Sequence, residues 1–547
     1  MTRQRVPIGI DADRWVTVAP QRVVLVVAHN IATLSRLLDV IDLFDSDFRV
    51  QLLATTCGTD PFNDGLPEAI TALGLKTIPW DQALSTRFDL VLTASPHGGV
   101  PDLHGPKVLL SHGVGYTKRA PGARGADQVF GLTAQWLLDN GEPIADALVL
   151  AHDNDVARLR TAVPQAAHTA VLAGDPCLDR MRASRDLRNH YRARLGVAPD
   201  QVLVVVSTTW STRSLLGSWP EFYRSLLAEL PVDRFRTAAI IHPNATRGHG
   251  PRQIRTWLAD CARAGLVLIP DLTGWQAALV AADCVIGDNG AVTCYAAALG
   301  HPVLLAAFPE DVVAQGSAVH ALGLSAPRLV PGHPLLAQVE AALARGHDSH
   351  PSVRRLVSSI PDESPDRLRS LFYRVLDLPE PQPEPVVHPV PLTGIDLTES
   401  RVSAWNAATH VTGRAVKVSR YPADARTTLT ADHQHLAVHA RHPGRRLRGH
   451  ADVLFLYDSE LDEDLDVALS EFLARYPGCA LAAVLSRTSA TVRSREGETV
   501  TLTSNADAGL CASVAAAWLF SGAKLSELTP SVRAHVGARD YDISATS

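Results

Sequence analysis

What most limits the folds open to this chain is a repeated pattern of short, unbroken Val/Leu/Ile runs, each followed by a stretch with helical spacing. Arg22-VVLVVA-His29 opens the series, with an amphipathic stretch at Leu34–Leu43 behind it. Val50–Ala54, Leu90–Thr93 and Lys107-VLL-Ser111 continue it. A strand with one wet face alternates polar and apolar residues, whereas a run apolar at every position must be covered on both faces. Helices in crossover connections provide that cover for parallel strands. A second series runs through Gln201-VLVVV-Ser207, Ala238-AII-His242, Leu266-VLI-Pro270, Cys284-VI-Gly287 and Pro302-VLL-Ala306. Between the two lies a polar, Arg-rich segment, Asp179–Asn189. The expectation is two consecutive α/β domains with doubly wound parallel sheets, residues 1–190 and 191–378.

One break follows. Residues 379–391 read PEPQPEPVVHPVP. Proline fixes φ and removes amide donors, so 379–393 is read as an extended, semi-rigid linker. Residues 394–547 behind it are read as a smaller C-terminal α/β domain. Its strand candidates are Ala415–Ser419, Leu436–Arg441, Val453–Tyr457 and Leu481–Ser486, with a hairpin at Ala490–Arg495 and Thr499–Thr503. Helices are expected at Glu460–Arg475 and Ala506–Phe520.

Composition removes several classes of function. The 547 residues carry 51 Lys and Arg against 57 Asp and Glu, so no basic field marks nucleic-acid binding. The opening twenty residues hold no signal-peptide core. Apolar runs such as Val23–Ala28 and Val202–Val206 fall far short of the ~20 residues that a membrane-spanning helix needs. Seven scattered cysteines, with no C-x-x-C pair, do not make a disulfide framework or a structural zinc site. A cytoplasmic protein is expected.

Ligands on doubly wound sheets bind beyond the carboxyl ends of the strands, and four segments stand there. In Ala282–Leu305 a strand ends at Ile286, a polar turn follows, and a helix rich in small residues begins. Asp288, Asn289, Gly290 and Thr293 thus sit at a helix N-terminus, where unpaired amides and the dipole suit a diphosphate; an ordinary capped strand–turn–helix fits the spacing equally. Ser207, Thr208, Thr209 and Arg213 follow the first strand of the second series and can line a phosphate site or form a solvated loop. His242 precedes Pro243, which disfavours helix at the histidine and leaves it at a strand end. His112 follows Val108–Ser111 and precedes Gly113 and Gly115; a neutral imidazole there can remove a proton from a hydroxyl. The glycines are not a dinucleotide fingerprint, because Lys118 occupies the third position. In the tail, His433, His435 and His439 share one face of a strand, arranged either as metal ligands or as a solvated face. No phosphate-loop, zinc-protease or nucleophile-elbow motif occurs.

In combination these segments resemble a known family. His112-Gly113 with Lys118, Gly174-Asp-Pro-Cys-Leu-Asp179, Thr209-Trp210, His242-Pro243 and Gly287-Asp288-Asn289 stand in the order seen in GT-B-type nucleotide-dependent transferases. The pattern is most similar to that of the CDP-glycerol glycerophosphotransferases, the teichoic-acid polymerase family, and is shared more distantly by the UDP-N-acetylglucosamine 2-epimerases. The resemblance spans roughly residues 20–375. The family's paired serines are Gly290-Ala291 here, its P-T-W-R is Thr208-Thr209-Trp210-Ser211, and Cys177 stands in place of an arginine.

The resemblance implies two facing Rossmann-like, GT-B-like sheets and a transferase that moves a glycosyl or polyol-phosphate group from a nucleotide-activated donor to an acceptor hydroxyl. His112 would be the base and His242 would contact donor phosphate. Ser207, Thr208, Thr209, Arg213, Asp288, Asn289, Gly290 and Thr293 would hold the diphosphate, with no metal and no cofactor. Two alternatives share the scaffold: an inactive nucleotide-binding protein whose tail recruits a protein partner, and a nucleotide-sugar epimerase or hydrolase.

Overall fold

The computed structural model describes residues 4–8, 12–14, 16–111, 113–120, 122, 128–398, 400–426 and 433–546. Both series of apolar runs form parallel sheets. In the first, the strands lie in the order Val50–Thr56, Arg22–Ala28, Leu90–Thr93, Lys107–Leu109, Ala147–Leu150, Ala170–Leu172. In the second, the order is Val267–Ile269, Phe235–Ile241, Val202–Thr208, Cys284–Gly287, Val303–Leu305. Strand pairing explains the continuous runs. Val24 and Val26 enter one core while Leu25 and Val27 enter another on the opposite face. Likewise Val204 and Val206 face one layer of helices, and Leu203 and Val205 the other. Successive side chains alternate sides, so burial on both faces requires an apolar residue at every step.

The chain does not leave the first sheet for good. Helix Ser364–Val375 follows the second sheet in sequence, yet Leu368, Leu371 and Phe372 enter the core of the first. Phe372 stacks on Phe44 at 5.5 Å between ring centroids. The proline-rich segment has no regular structure but is pinned at several points. Arg369 donates to Glu380 Oε1 (2.8 Å) and to the Pro383 carbonyl (2.7 Å), and Val390 is buried with its carbonyl accepting from Tyr191 Oη at 2.8 Å. It is a strap along the body, held by the carbonyls that proline retains.

The tail departs from the expected form. It is a closed barrel of nine strands, beginning in barrel order at Ala404, Ala415, Ser531, Arg539, Thr499, Ser489, Leu481, Val453 and His433. The expected hairpin is present, with Ser489–Ser494 paired to Thr499–Thr503. Helix Ala508–Phe520 is apolar on every side and buried through Trp518, packing against Val416, Val418, Phe455, Val492 and Leu502. A helix without a polar face has to be enclosed, and the barrel encloses it. Helix Leu465–Arg475 covers the outside at Leu454, Ala482 and Val484. The α/β reading of this region therefore holds for the elements and not for their arrangement. The parallel pairing of Ala415–Lys417 with Arg533–His535, which closes the barrel, joins distant segments that no local pattern links.

The barrel rests on the amino ends of the second sheet. Arg420 donates to Asp233 Oδ1 at 2.8 Å and also pairs with Asp507, while the Val232 amide donates to the Arg420 carbonyl at 2.9 Å. Tyr541 donates to Asp200 at 2.9 Å. These contacts lie at the far end of the sheet from the carboxyl ends where ligands bind. Among the described residues, no helix is long and apolar enough to cross a membrane.

Candidate functional site

In each sheet the strand order reverses once: between Arg22–Ala28 and Leu90–Thr93, and between Val202–Thr208 and Cys284–Gly287. Strands on either side of a reversal send their connections to opposite faces, and the crevice left at their carboxyl ends is the ligand site of open α/β sheets. The predicted donor residues belong to the second of these crevices.

There, Asp288 is an internal clasp. Fully buried, it accepts from Thr209 N (2.7 Å), Thr209 Oγ1 (2.8 Å), Leu215 N (3.1 Å) and Gly290 N (3.1 Å), so it ties the loop after one switch strand to the turn after the other. Burial pushes its carboxyl above the usual carboxylate range, against these four bonds, which favour the charged form. Thr208 is also committed: its hydroxyl donates to the Thr209 carbonyl and accepts from Leu216 N. Arg213 is exposed and forms an ion pair with Asp311. Ser207 is buried beneath the turn. The side chains of Thr208, Thr209 and Asp288 therefore build the crevice instead of lining it.

The turn itself presents ligand-binding groups. Helix Ala291–Ala298 starts at Gly290 without a side-chain cap, which leaves its first amides to an outside acceptor. Gly290 is required: a methyl there would come within 2.6 Å of Thr209 Cγ2. Thr293, expected from sequence to bind there too, is instead fully buried with its hydroxyl against Gly287 and no hydrogen-bond partner among the described residues. Asn289 is half-buried at the lip. His242 lies beside them, its amide donating to the Thr208 carbonyl at 3.1 Å and its Nδ1 accepting from Asn244 N at 3.0 Å. That bond places the neutral ring's proton on Nε2, which makes Nε2 a donor. His112 lies outside the described residues.

Sequence reasoning used Lys118 only as part of a motif and gave it no role. It keeps open surface, yet the protein around its ammonium lowers its proton affinity, as expected of a cation in a cleft; the Asp288 carboxylate partly offsets that effect. Its segment is stitched to the second lobe, with Arg119 N donating to Val312 O and Ala314 N to Thr117 O, each at 2.9 Å. On the opposite side Phe62 meets Trp210 edge-on at 5.1 Å, and Arg247 donates to the Asp64 carbonyl. Between these two seams the crevices face one another.

Below them a buried polar cluster joins the lobes. Arg36 donates to Tyr295 Oη at 2.6 Å and pairs with Asp39 and Asp175; Tyr295 donates to Asp175 at 2.8 Å, and Gln276 to Asp39 at 2.9 Å.

No family model and no curated protein matches the sequence. Solved structures resemble the fold. The fold is similar to that of TagF. This wall teichoic acid polymerase aligns at 12% identity over 66% of this chain and 90% of its own, with a TM-score of 0.46. MnaA from S. aureus, solved with UDP, aligns at 12% identity over 67% of this chain and 100% of its own (TM-score 0.39). HepE from Anabaena, in complex with UDP and glucose, aligns at 11% over 65% and 99% (TM-score 0.38). The TagF alignment leaves about a third of this chain unmatched.

The crevice of the first lobe holds residues that no motif announced. His29 and Asn30 follow one switch strand, His97 follows the other, and Cys57, Thr59 and Asp60 follow the neighbouring strand. Asn30 donates to Asp60 at 2.8 Å and caps helix Ile31–Leu37. The available signal was position alone: each stands one to four residues past the end of a strand. In the tail, His435 and His439 are both buried, and the side chain of His433 lies outside the described set. Among the described residues, no three His, Cys, Asp or Glu side chains are placed to hold a metal ion.

Proposed function

We propose that this chain is a transferase that moves a glycosyl or polyol-phosphate group from a nucleotide-activated donor to an acceptor hydroxyl, without a metal. The observation that carries the reading is the uncapped start of helix Ala291–Ala298 at the switch point of the second sheet, with the Lys118 ammonium within reach of the Asp288 charge. Amides at a helix start and one ammonium form a preorganised positive field. A departing nucleoside diphosphate accumulates negative charge, and groups fixed in advance stabilise it without reorganising. His242 Nε2–H would donate to donor phosphate, and His112 would take the proton of the acceptor hydroxyl. Asn289 would order the donor at the lip. The acceptor would enter through the first-lobe crevice.

A second reading, nucleotide binding without turnover, is favoured by one observation: Asp311 holds Arg213, so this guanidinium is not available to a phosphate. The barrel would then serve as a recruiting surface for a protein partner. Thermal-shift measurements against CDP-, UDP-, GDP- and dTDP-linked compounds, followed by incubation of any hit with candidate acceptors, separate the readings. Transfer requires a shift and a product, and a shift without product supports the second reading. The absence of any shift across the panel rejects both.

A further inference from the structure

The crevice at the switch point of the first sheet contains a thiol and an imidazole that the proposed transfer reaction does not use. His29 is 4% exposed. Its Nε2 lies 2.9 Å from the His97 carbonyl, so this nitrogen carries the ring proton and donates it there. Nδ1 is thereby left with a lone pair; it is buried and lacks a properly formed hydrogen bond to any described residue. Beside it lies Cys57, 8% exposed, with Sγ 3.5 Å from Thr59 Oγ1. Gly98 (φ +71°) closes over the pair, and a methyl there would come 2.8 Å from Sγ and 2.6 Å from Thr59 Oγ1. Thr59 and His97 are exposed on either side, so the pair sits one layer below the crevice surface. His29 and Cys57 each stand one residue past the paired Ala28 and Thr56, so an imidazole held by a carbonyl at one nitrogen and unpartnered at the other lies beside a thiol, the arrangement that activates a sulfur nucleophile.

We propose that Cys57, with His29 as its base, is a modification site for small disulfides. Sγ attacks one sulfur of the disulfide; a new S–S bond forms, the old one breaks, and the other half leaves as a thiolate. The proton that His29 Nδ1 took from the thiol passes to that leaving group. The adduct stands at the root of residues 57–65, whose Phe62 reaches Trp210 across the crevice, so modification loosens that seam.

The other cysteines provide the contrast. All seven are free and buried. Burial pushes the thiols of Cys177, Cys261, Cys284, Cys294, Cys479 and Cys511 up, to about 12 for Cys261, Cys284 and Cys511. Burial acts on Cys57 in the same sense, but the neighbouring His29 imidazole and Thr59, which favour the thiolate, outweigh it and bring the thiol to about 7. Other charged or titratable groups facing the pair are Asp60, which supports the charged imidazole, and His97.

The experiment treats the intact chain with 2-hydroxyethyl disulfide and follows each cysteine by peptide mass spectrometry across pH. Cys57 should form the mixed disulfide ahead of the other six, with a rate midpoint near neutrality. His29→Gln should slow the reaction at neutral pH roughly tenfold or more, and at alkaline pH the rates should converge, since a thiol near its ordinary pKa of about 8.5 is only a few per cent thiolate at pH 7. If the variant does not fold, the unmodified chain's pH profile decides alone. An unreactive Cys57 in the folded chain, or a midpoint near the ordinary thiol value, overturns the proposal. This outcome is independent of whether the chain transfers any group.

Discussion

Asp288 and Lys118 divide the tasks of the second-lobe crevice between them. The aspartate reads from sequence as a phosphate-loop residue, but its four internal bonds make it the fastener of the turn. The lysine is the cation that faces the crevice. Replacing Lys118 with Met should leave unfolding free energy within about 0.5 kcal/mol, because this side chain keeps open surface and makes no ion pair or side-chain hydrogen bond among the described residues. It should also weaken binding of the nucleoside diphosphate found in the screen by about tenfold, the value of one charge-assisted bond, measured by calorimetry. Gly290→Ala should do the reverse: Thr209 must move to admit the methyl, at a cost of about 1–3 kcal/mol in urea unfolding, and the turn is displaced with it. The positions of both residues were legible in the sequence. Their roles were not, because a carboxylate becomes a clasp only when amides from another segment, those of Thr209 and Leu215, point at it.

At the scale of elements, the interlobe cluster fixes how helix Ile31–Leu37 meets helix Ala291–Ala298. Arg36, Asp39 and Asp175 are all buried, so removal of Arg36 leaves Asp175 without a cation and Asp39 with Arg180 alone. Arg36→Met should cost about 3–5 kcal/mol by chemical denaturation. Tyr295→Phe removes one hydroxyl from the same cluster and should cost about 1–3 kcal/mol. If Tyr295→Phe proved as damaging as Arg36→Met, the cluster would not be organised around the arginine charge. None of this was visible in the chain. Arg36 belongs to an ordinary amphipathic helix and Asp175 to a turn, and their partnership exists only because the two lobes face each other.

At the scale of the whole molecule, buried histidines make stability dependent on pH. Burial lowers His301 to about 4 and His435 to about 3, so both are neutral in the folded chain, while unfolded imidazoles titrate near 6.5. Their contribution is complete above about pH 6.5 and is lost as pH falls toward the folded values, because the unfolded chain then binds protons that the folded chain refuses. Each should cost about 2–3 kcal/mol by pH 4.5, and His435→Leu should flatten that part of the urea-unfolding profile. Two layered parallel sheets followed by a separate region were already written in the sequence, since unbroken apolar runs at strand length have few other ways to be buried. Closure of the tail into a barrel around its apolar helix was decided in three dimensions, as were the commitment of Asp288 and the meeting of His29 with Cys57. Periodicity along a chain reports which face of a segment avoids water; which distant segment supplies the cover, and which polar groups arrive with it, depends on contacts that only the folded chain makes.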